Sequence, residues 1–372
     1  MTHHVAPIAM GNQDGTTWQD AIDLQTLFSA AAPFPLQPND EIWALGDNNI
    51  FGITGPYNLV GNTLVINIPN LRIYGGFEGW ETVPNQRNVN INSLRYPTFF
   101  LHPSILDGGT VNRVIEIQQV DACRIDGFVI TQGNSGIMNG GGIHVIDSNN
   151  VRFENLVIMD NRCWYFGGGV NIEKTHNVTI KNTIFFNNHA TDSATGNGGG
   201  FCAMGCGNVG LVNLLFNDNT GNSAAMYIVN SDNIRVINNT IAYNNALAGS
   251  SHIYIDSASV EIYNSILFPD DIVVAGTATI NISYCSLNQN NFSNNNGLPP
   301  FTNPNFRNPV FPLSVGGDYH LALPPSIPNT PIDNGNNTYV PPFIATDLEG
   351  NPRIVSIWNP IPTVDMGAFE VQ

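Results

Sequence analysis

Every 25 to 31 residues the chain returns to an asparagine followed by a short apolar run: Asn155-Leu-Val-Ile, Asn182-Thr-Ile-Phe, Asn213-Leu-Leu-Phe, Asn239-Thr-Ile-Ala and Asn264-Ser-Ile-Leu. Successive gaps are 27, 31, 26 and 25 residues, and Asp126-Gly-Phe-Val-Ile fits one unit earlier with Asp in the Asn position. A period of this size marks stacked units, each burying its apolar side against the next. The pattern within a unit specifies strands. Upstream of the asparagine runs Val151-Arg-Phe-Glu, Val178-Thr-Ile-Lys, Val209-Gly-Leu-Val or Val260-Glu-Ile-Tyr, apolar at every second position, as a half-buried strand requires. A second column lies further upstream: Gly142-Ile-His-Val, Gly169-Val-Asn-Ile, Gly200-Phe-Cys-Ala, Met226-Tyr-Ile and Ile253-Tyr-Ile. Two or three short strands joined by turns make one rung of a β-solenoid.

Rungs stacked at about 4.8 Å place equivalent residues above one another. An asparagine at a bend can then bond to the asparagines above and below, which satisfies an amide that is costly to bury alone. Asp126, Asn155, Asn182, Asn213, Asn239 and Asn264 are therefore expected to form a structural ladder. Composition agrees with an all-β chain. Charged residues make up 11%, Gly numbers 36, and the only lysines are Lys174 and Lys181, whereas helical surfaces favour Lys, Glu and Arg. A net charge of −17 excludes nucleic acid as the expected partner, since phosphate binding needs clustered cations. No apolar run is long enough for a transmembrane segment.

A solenoid of open rungs needs covered ends. The stretch from Asp14 to Ala32 carries Trp18, Ile22 and Leu27 at helical spacing, which predicts an amphipathic capping helix, followed by a first strand at Asp40-Glu-Ile-Trp-Ala-Leu. Residues 1–45 are thus read as an N-terminal cap, 46–295 as the rungs and 296–372 as a Pro- and Asn-rich C-terminal cap. That last segment holds Phe301, Phe306, Phe311, Tyr319, Phe343, Trp358 and Phe369, too many aromatics for a solvated tail. Five cysteines make no disulfide framework; Cys202 and Cys206 are near enough in sequence for a bridge to stay open.

The end segments carry a family resemblance. Asp14-Gly-Thr-Thr-Trp, Ile73-Tyr-Gly-Gly-Phe-Glu-Gly, Leu106-Asp-Gly and Ile125-Asp-Gly-Phe-Val-Ile-Thr-Gln-Gly-Asn resemble secreted bacterial right-handed parallel β-helix proteins of the pectate-lyase-like superfamily. The Gly-Gly-Gly and Phe-x-x-Asn units resemble polymorphic outer membrane protein repeats. Gly317-Asp-Tyr-His-Leu, Pro331-Ile-Asp-Asn-Gly, Thr346-Asp-Leu-Glu-Gly-Asn-Pro-Arg and Val364-Asp-Met-Gly-Ala-Phe-Glu resemble the terminal module called choice-of-anchor Q. This resemblance implies a right-handed parallel β-helix with a short N-terminal helix and an irregular C-terminal cap. It also implies life outside the cell or on its outer surface, commonly in Bacteroidota-type bacteria, as a mature form without its signal peptide.

Such a fold hosts lyases, hydrolases, adhesins and fibres alike, so function must come from the side chains. A uronate lyase needs a base beside the substrate carboxylate and a cation to neutralise it. Arg162, Lys174, Arg152, Lys181 and Arg235 are the available bases, and Asp270-Asp271 is the only adjacent Asp pair, as a hydrolase would use; none falls in a recognisable motif. A binding strip reads better. His144, Asn171, Cys202, Tyr227 and Tyr254 recur on one outward column with Trp164 and Tyr165 in a neighbouring loop, so that His144, Asn171, Trp164, Tyr165, Tyr227 and Tyr254 are the ligand-binding candidates for a glycan. Asp160, Asp192 and Asp218 recur near the same edge and offer oxygen ligands for Ca²⁺, although no cofactor is required. The leading expectation is a non-catalytic surface or matrix protein, adhesin or glycan-binding module. A polysaccharide lyase acting on an acidic glycan and a self-assembling fibre subunit are the alternatives.

Overall fold

The computed structural model describes residues 1–29, 32–47, 49–88, 100–192, 194–268, 271–287, 292–294, 321, 331–357 and 360–371. Asp270 and the tail aromatics Phe301, Phe306, Phe311, Tyr319 and Trp358 lie outside the described residues. The chain is an all-β, right-handed parallel β-helix, and its stacked rungs are what the period requires.

One rung shows the plan. The strand Ile143–Ile146 lies in a first sheet (sheet I), and Asp147 and Asn150 turn the corner in the left-handed conformation, with φ of 48° and 56°. The strand Asn149–Met159 follows, bent into two arms at Asn155, where φ is 53°, and Asp160 makes the next corner at φ 56°. Asn and Asp enter this region more readily than other side-chain-bearing residues because their short polar groups bond locally. An Asn-rich sequence is thus an economical way to write corners. Stacking is parallel throughout: Ile143–Ile146 pairs with Ile115–Gln118 and Val170–Glu173, and Asn149–Met159 pairs with His176–Phe186. Among the described residues sheet I has eleven strands, and the bent strands form a 17-stranded sheet folded along the Asn155 corner, here divided into face II before the corner and face III after it.

The alternating residues meet inside. Ile143 and Val145 from sheet I, Val151 and Phe153 from face II, and Leu156 and Ile158 from face III are all 0% exposed. Each such side chain contributes about 1.5–3 kcal/mol by leaving water. Phe185 and Phe216 stack inside at 4.4 Å between ring centres. The outward members of face II are Arg152, Thr179, Gly210 and Arg235, in register on successive rungs.

The asparagine ladder forms with a shifted phase. Asn155 Nδ2 donates to Asp126 Oδ1 at 2.8 Å, Asn182 to Asn155 at 3.1 Å, and Asn213 to Asn182 at 2.8 Å. Asp126 stands one place early, because its strand partner is Glu154 and the corner itself is Gly127, at φ 88°. Asn239 is not a rung of this ladder. Register sets Asn238 above Asn213, and Asn238 and Asn264 hold the corner conformation at φ 56° and 48°. Asn239 instead turns inward, where its Oδ1 accepts the Leu214 N–H at 2.7 Å and its Nδ2 donates to the Leu211 carbonyl at 2.9 Å. Beyond Asn213 the amide chain gives way to the C-terminal segment: Asn213 also donates to the Thr346 carbonyl, and Asn264 exchanges two bonds with the Asn336 backbone.

A second ladder lies deeper. Asn161, Asn188, Asn219 and Asn244 close face III, and each of the first three donates to the next amide oxygen at 3.0, 3.0 and 2.9 Å. Each Nδ2 also reaches a strand carbonyl, as Asn188 does to Ile158, and each Oδ1 above Asn161 accepts the backbone N–H of the asparagine below. Asn161, Asn188 and Asn219 are fully buried. These are the asparagines of the Phe-x-x-Asn units, Phe185 to Asn188 and Phe216 to Asn219.

The predicted N-terminal helix shrinks to a single turn, Leu24–Leu27, capped by Asp23. Polar side chains upstream take the backbone N–H groups that a helix would need: Asp14 binds the Thr16 N–H and Asp20 that of Asn12, a local competition that favours turns. Trp18, Ile22 and Leu27 are buried all the same. Thr2–Ala6 is the first strand, pairing in parallel with Glu41–Leu45.

The described C-terminal residues lie along the side of the solenoid. Leu348, Ala368 and Phe369 pack on Val129, Val157, Ile184 and Leu215 of face III, and Ile344 packs on Val212, Ile237 and Tyr263 of face II. A buried polar clasp holds this segment together: Arg353 donates to the Gly367 carbonyl and sits 3.9 Å from Glu370, while Asp347 binds the Glu370 N–H and Glu370 the Asp365 N–H. The Asp-x-x-Gly-x-x-Arg and Asp-Met-Gly-Ala-Phe-Glu motifs are thus a structural lock.

Candidate functional site

The candidate strip on sheet I is largely roofed over. His144, Asn171, Cys202, Tyr227 and Tyr254 do stack in register, yet Asn171 and Cys202 are 0% exposed and His144 is 9% exposed. The loops carrying the glycine triplets fold back across the strands they precede. Gly140, Gly167 and Gly198 all have positive φ, and a Cβ on them would stand 2.8, 2.7 and 3.0 Å from the Cβ of His144, Asn171 and Cys202. Only glycine brings backbone this close. Phe166 then stacks on Tyr227 at 5.6 Å and Tyr227 on Tyr254 at 5.4 Å, with planes within 17°. Rings stacked in series occupy each other's faces and turn edges outward, whereas a sugar packs on a free face. Trp164 and Tyr165 remain exposed on their loop, with Trp164 Nε1 held by Asp192 at 2.9 Å.

Beneath that roof lies a charged cluster. His144 stands 3.5 Å from Glu173 and 3.9 Å from Glu116, and Arg113 binds Glu116 at 2.9 Å. The Glu173 carboxyl is held down to about 2 by His144, a long contact, and by the amides of Asn139 and Asn171. The carboxylates flank opposite sides of the imidazole, so one ion cannot take both together with the ring.

The other sequence candidates are dispersed. Asp160 and Asp218 are left-handed corner residues two rungs apart, and Asp160 accepts from the intervening Asn187 at 2.6 Å; burial pushes the Asp218 carboxyl up. Asp192 is satisfied within its own turn by Ala194 and Thr195. Among the described residues no three His, Cys, Asp or Glu side chains converge as a metal site. Arg162 is exposed on the short strand Arg162–Cys163 and Lys174 at a corner with φ 46°, apart from one another. Asp271 pairs with His252 at 2.5 Å. All five cysteines are free and buried, which removes a Cys202–Cys206 bridge.

The open concavity is on face II. A groove of about 1150 Å³ runs along the outward column, with Arg72, Arg124, Arg152 and Arg235 lining it and Glu261 as its sole lining carboxylate among the described residues. One rim is a third, exposed asparagine column: Asn177 donates to Asn149, Asn208 to Asn177 and Asn233 to Asn208, at 2.8, 3.0 and 2.6 Å. The facing rim is the C-terminal stretch 338–343, anchored by Tyr339 stacking on Tyr263 at 3.9 Å. Thr179 and Gly210 keep the middle of the floor low. The sequence carried this site in plain view, because the residue after the first inward position of each face II strand is a floor residue; stacking the strands whose first inward residues are Leu71, Cys123, Val151 and Ile234 in register collects the arginines.

Among the described residues no helix is long and apolar enough to cross a membrane. No protein-family model matches the chain, and no curated protein matches it in sequence. Among solved structures, a pectate lyase, Pel9A, aligns over 100% of this chain and 96% of its own at 13% identity and a TM-score of 0.42. An alginate lyase from Paenibacillus sp. str. FPU-7 aligns over 79% of this chain and 99% of its own, at 13% identity and a TM-score of 0.30. Function must therefore be argued from this chain's own side chains.

Proposed function

We propose that this protein is a non-catalytic, extracellular β-solenoid that binds an extended glycan along the groove of face II. The observation that carries this reading is the groove itself, an open trough spanning several rungs with a guanidinium floor, an amide rim and an aromatic far wall. Amides and guanidinium groups replace the water that a sugar polymer loses, and aromatic walls cover its apolar C–H faces. Thr179→Trp tests the site. It fills the floor between Arg152 and Arg235 on a strand that tolerates large outward residues. In affinity gel electrophoresis across a set of extended polysaccharides, the native protein is retarded by at least one and the variant by none, with equal melting temperatures. Retention of binding by Thr179→Trp would move the site elsewhere.

A lyase reading has one observation in its favour. Arg152 is exposed in the groove and has no acidic partner among the described residues, with Arg124 one rung away. β-Elimination needs a group to take the proton beside a carboxylate and a cation to neutralise that carboxylate. Unsaturated product released from an acidic polysaccharide, followed by ultraviolet absorbance and abolished in Arg152→Ala, would replace binding with turnover.

A further inference from the structure

Face II gathers positive charge on a strongly acidic molecule. The chain has 12 Lys and Arg against 29 Asp and Glu, yet among the described residues four arginines and one carboxylate line the groove. Arg72, Arg124 and Arg152 stand directly opposite one another on three successive strands. Like charges paired across strands about 4.8 Å apart repel and cost stability, so their alignment needs a compensating partner. Part of it comes from the fold: Arg72 pairs with Glu41 at 3.2 Å, Arg124 with Asp126 and Glu154 at 2.8 Å, and Arg235 with Glu261 at 3.1 Å. Arg152, in the middle of the row, has no such partner among the described residues. The Arg72 and Arg235 side chains are 42% and 56% exposed, and ion pairs so open to water exchange readily for another anion.

We propose that the groove selects a linear sugar polymer bearing carboxylate or sulfate groups at a spacing near the rung repeat. This rests on the groove being the glycan-binding face and adds the charge of the ligand. Arg152 supplies the central anion contact through a guanidinium fork suited to planar carboxylate and to sulfate. Arg124 and Arg235 flank it one rung below and three rungs above, the latter about 14 Å away by strand spacing. Thr179 and Gly210 leave depth for the sugar rings between them. The protein's remaining negative surface repels the polymer everywhere else, which confines it to this row.

Two matched pairs of polymers test the charge while holding the backbone constant: polygalacturonate against its methyl ester, and dextran sulfate against dextran. Isothermal titration of the full chain at low salt should show the charged member of at least one pair binding at least tenfold more tightly, with affinity falling as NaCl is added. The carboxylate and sulfate arms identify which anion is read. Arg152→Ala and Arg235→Ala should each weaken that binding about tenfold, and Arg152→Lys, which keeps the charge but loses the fork, should recover only part of it; both positions are exposed, so folding is preserved. Equal binding of charged and neutral partners would overturn the anion assignment and leave glycan binding intact. Absence of binding to every polymer would overturn both. Equally tight binding of poly-glutamate or a single-stranded oligonucleotide would overturn the sugar assignment.

Discussion

Sheet I and face II are built from the same rungs and carry outward residues at the same spacing, yet one is roofed and the other is open. On sheet I the chain enters the strands at Ile143, Val170 and Phe201 through a glycine triplet whose backbone lies on the outward residues, so His144, Asn171 and Cys202 are covered although their column looks accessible in sequence. Face II is entered through exposed asparagine corners at Asn150, Asn177, Asn208 and Asn233 that turn sharply and cover nothing. Its far rim is raised by the C-terminal segment. In a solenoid the connections decide which face meets a ligand, because the strands themselves are alike.

The largest effect is expected from breaking the roof. Gly167 has φ 69°, and a Cβ there would lie 2.4 Å from the Val170 carbonyl oxygen and 2.7 Å from the Asn171 Cβ. Gly167→Val should destabilise the protein by about 3 kcal/mol, combining left-handed strain with overpacking, and chemical unfolding would measure it. Groove binding should survive in the folded fraction.

The two buried asparagine rows give the next contrast. Asn188→Ala removes an amide that makes four hydrogen bonds inside the coil, next to where Gly169 enters sheet I. It should cost about 2–3 kcal/mol, since buried partners are left unpaired. Asn182→Gly removes a half-buried amide and keeps the corner conformation, so the loss should be about 1 kcal/mol. Equal losses in denaturant titrations would mean that the outer row bears as much as the inner one.

The period, the strand alternation and the inward residues were legible in sequence because burial imposes a two-residue repeat and stacking imposes a fixed phase. The ladder residue in the fourth unit was misassigned for a physical reason: Asn238 and Asn239 are adjacent, and only strand register distinguishes the corner from the inward site. Half of the inner row, Asn188 and Asn219, was readable in the Phe-x-x-Asn spacing, whereas Asn161 and Asn244 follow Ile158 and Ile241. The roof over sheet I was not, since it depends on how closely a glycine backbone approaches a strand several residues later. Nor was the groove wall, whose contact between Tyr263 and Tyr339 spans distant parts of the chain.

The C-terminal segment that forms that wall makes pH a lever on face II. Burial pushes the Asp365 and Glu370 carboxyls above the ordinary carboxylate range, with Arg353 opposing and Asp333 or each other adding to the shift, and burial raises Asp347 as well. In the unfolded chain these groups titrate near pH 4, while the folded clasp holds its protons to higher pH. Over that interval the folded state binds more protons, so the clasp's contribution is complete in acid and declines as pH rises. Melting temperature and groove affinity should both fall between pH 6 and 9. Glu370→Gln, which keeps the amide-sized acceptor without the charge, should flatten the fall; an unchanged slope would place the titration outside the clasp.

The smallest effect should come from Tyr254, and it separates the two faces most cleanly. Tyr254 stacks on Tyr227 at 5.4 Å and is half-buried on sheet I. Tyr254→Ala removes one aromatic pair worth about 0.5–1.5 kcal/mol, so a modest drop in stability is expected. Its ring belongs to the roofed face, opposite in role to the arginine row, and groove affinity should remain within about twofold of the native value, a shift of roughly 0.4 kcal/mol. A tenfold loss of glycan binding in Tyr254→Ala, with Arg152→Ala unaffected, would reverse the assignment and return the ligand to the aromatic edge of sheet I.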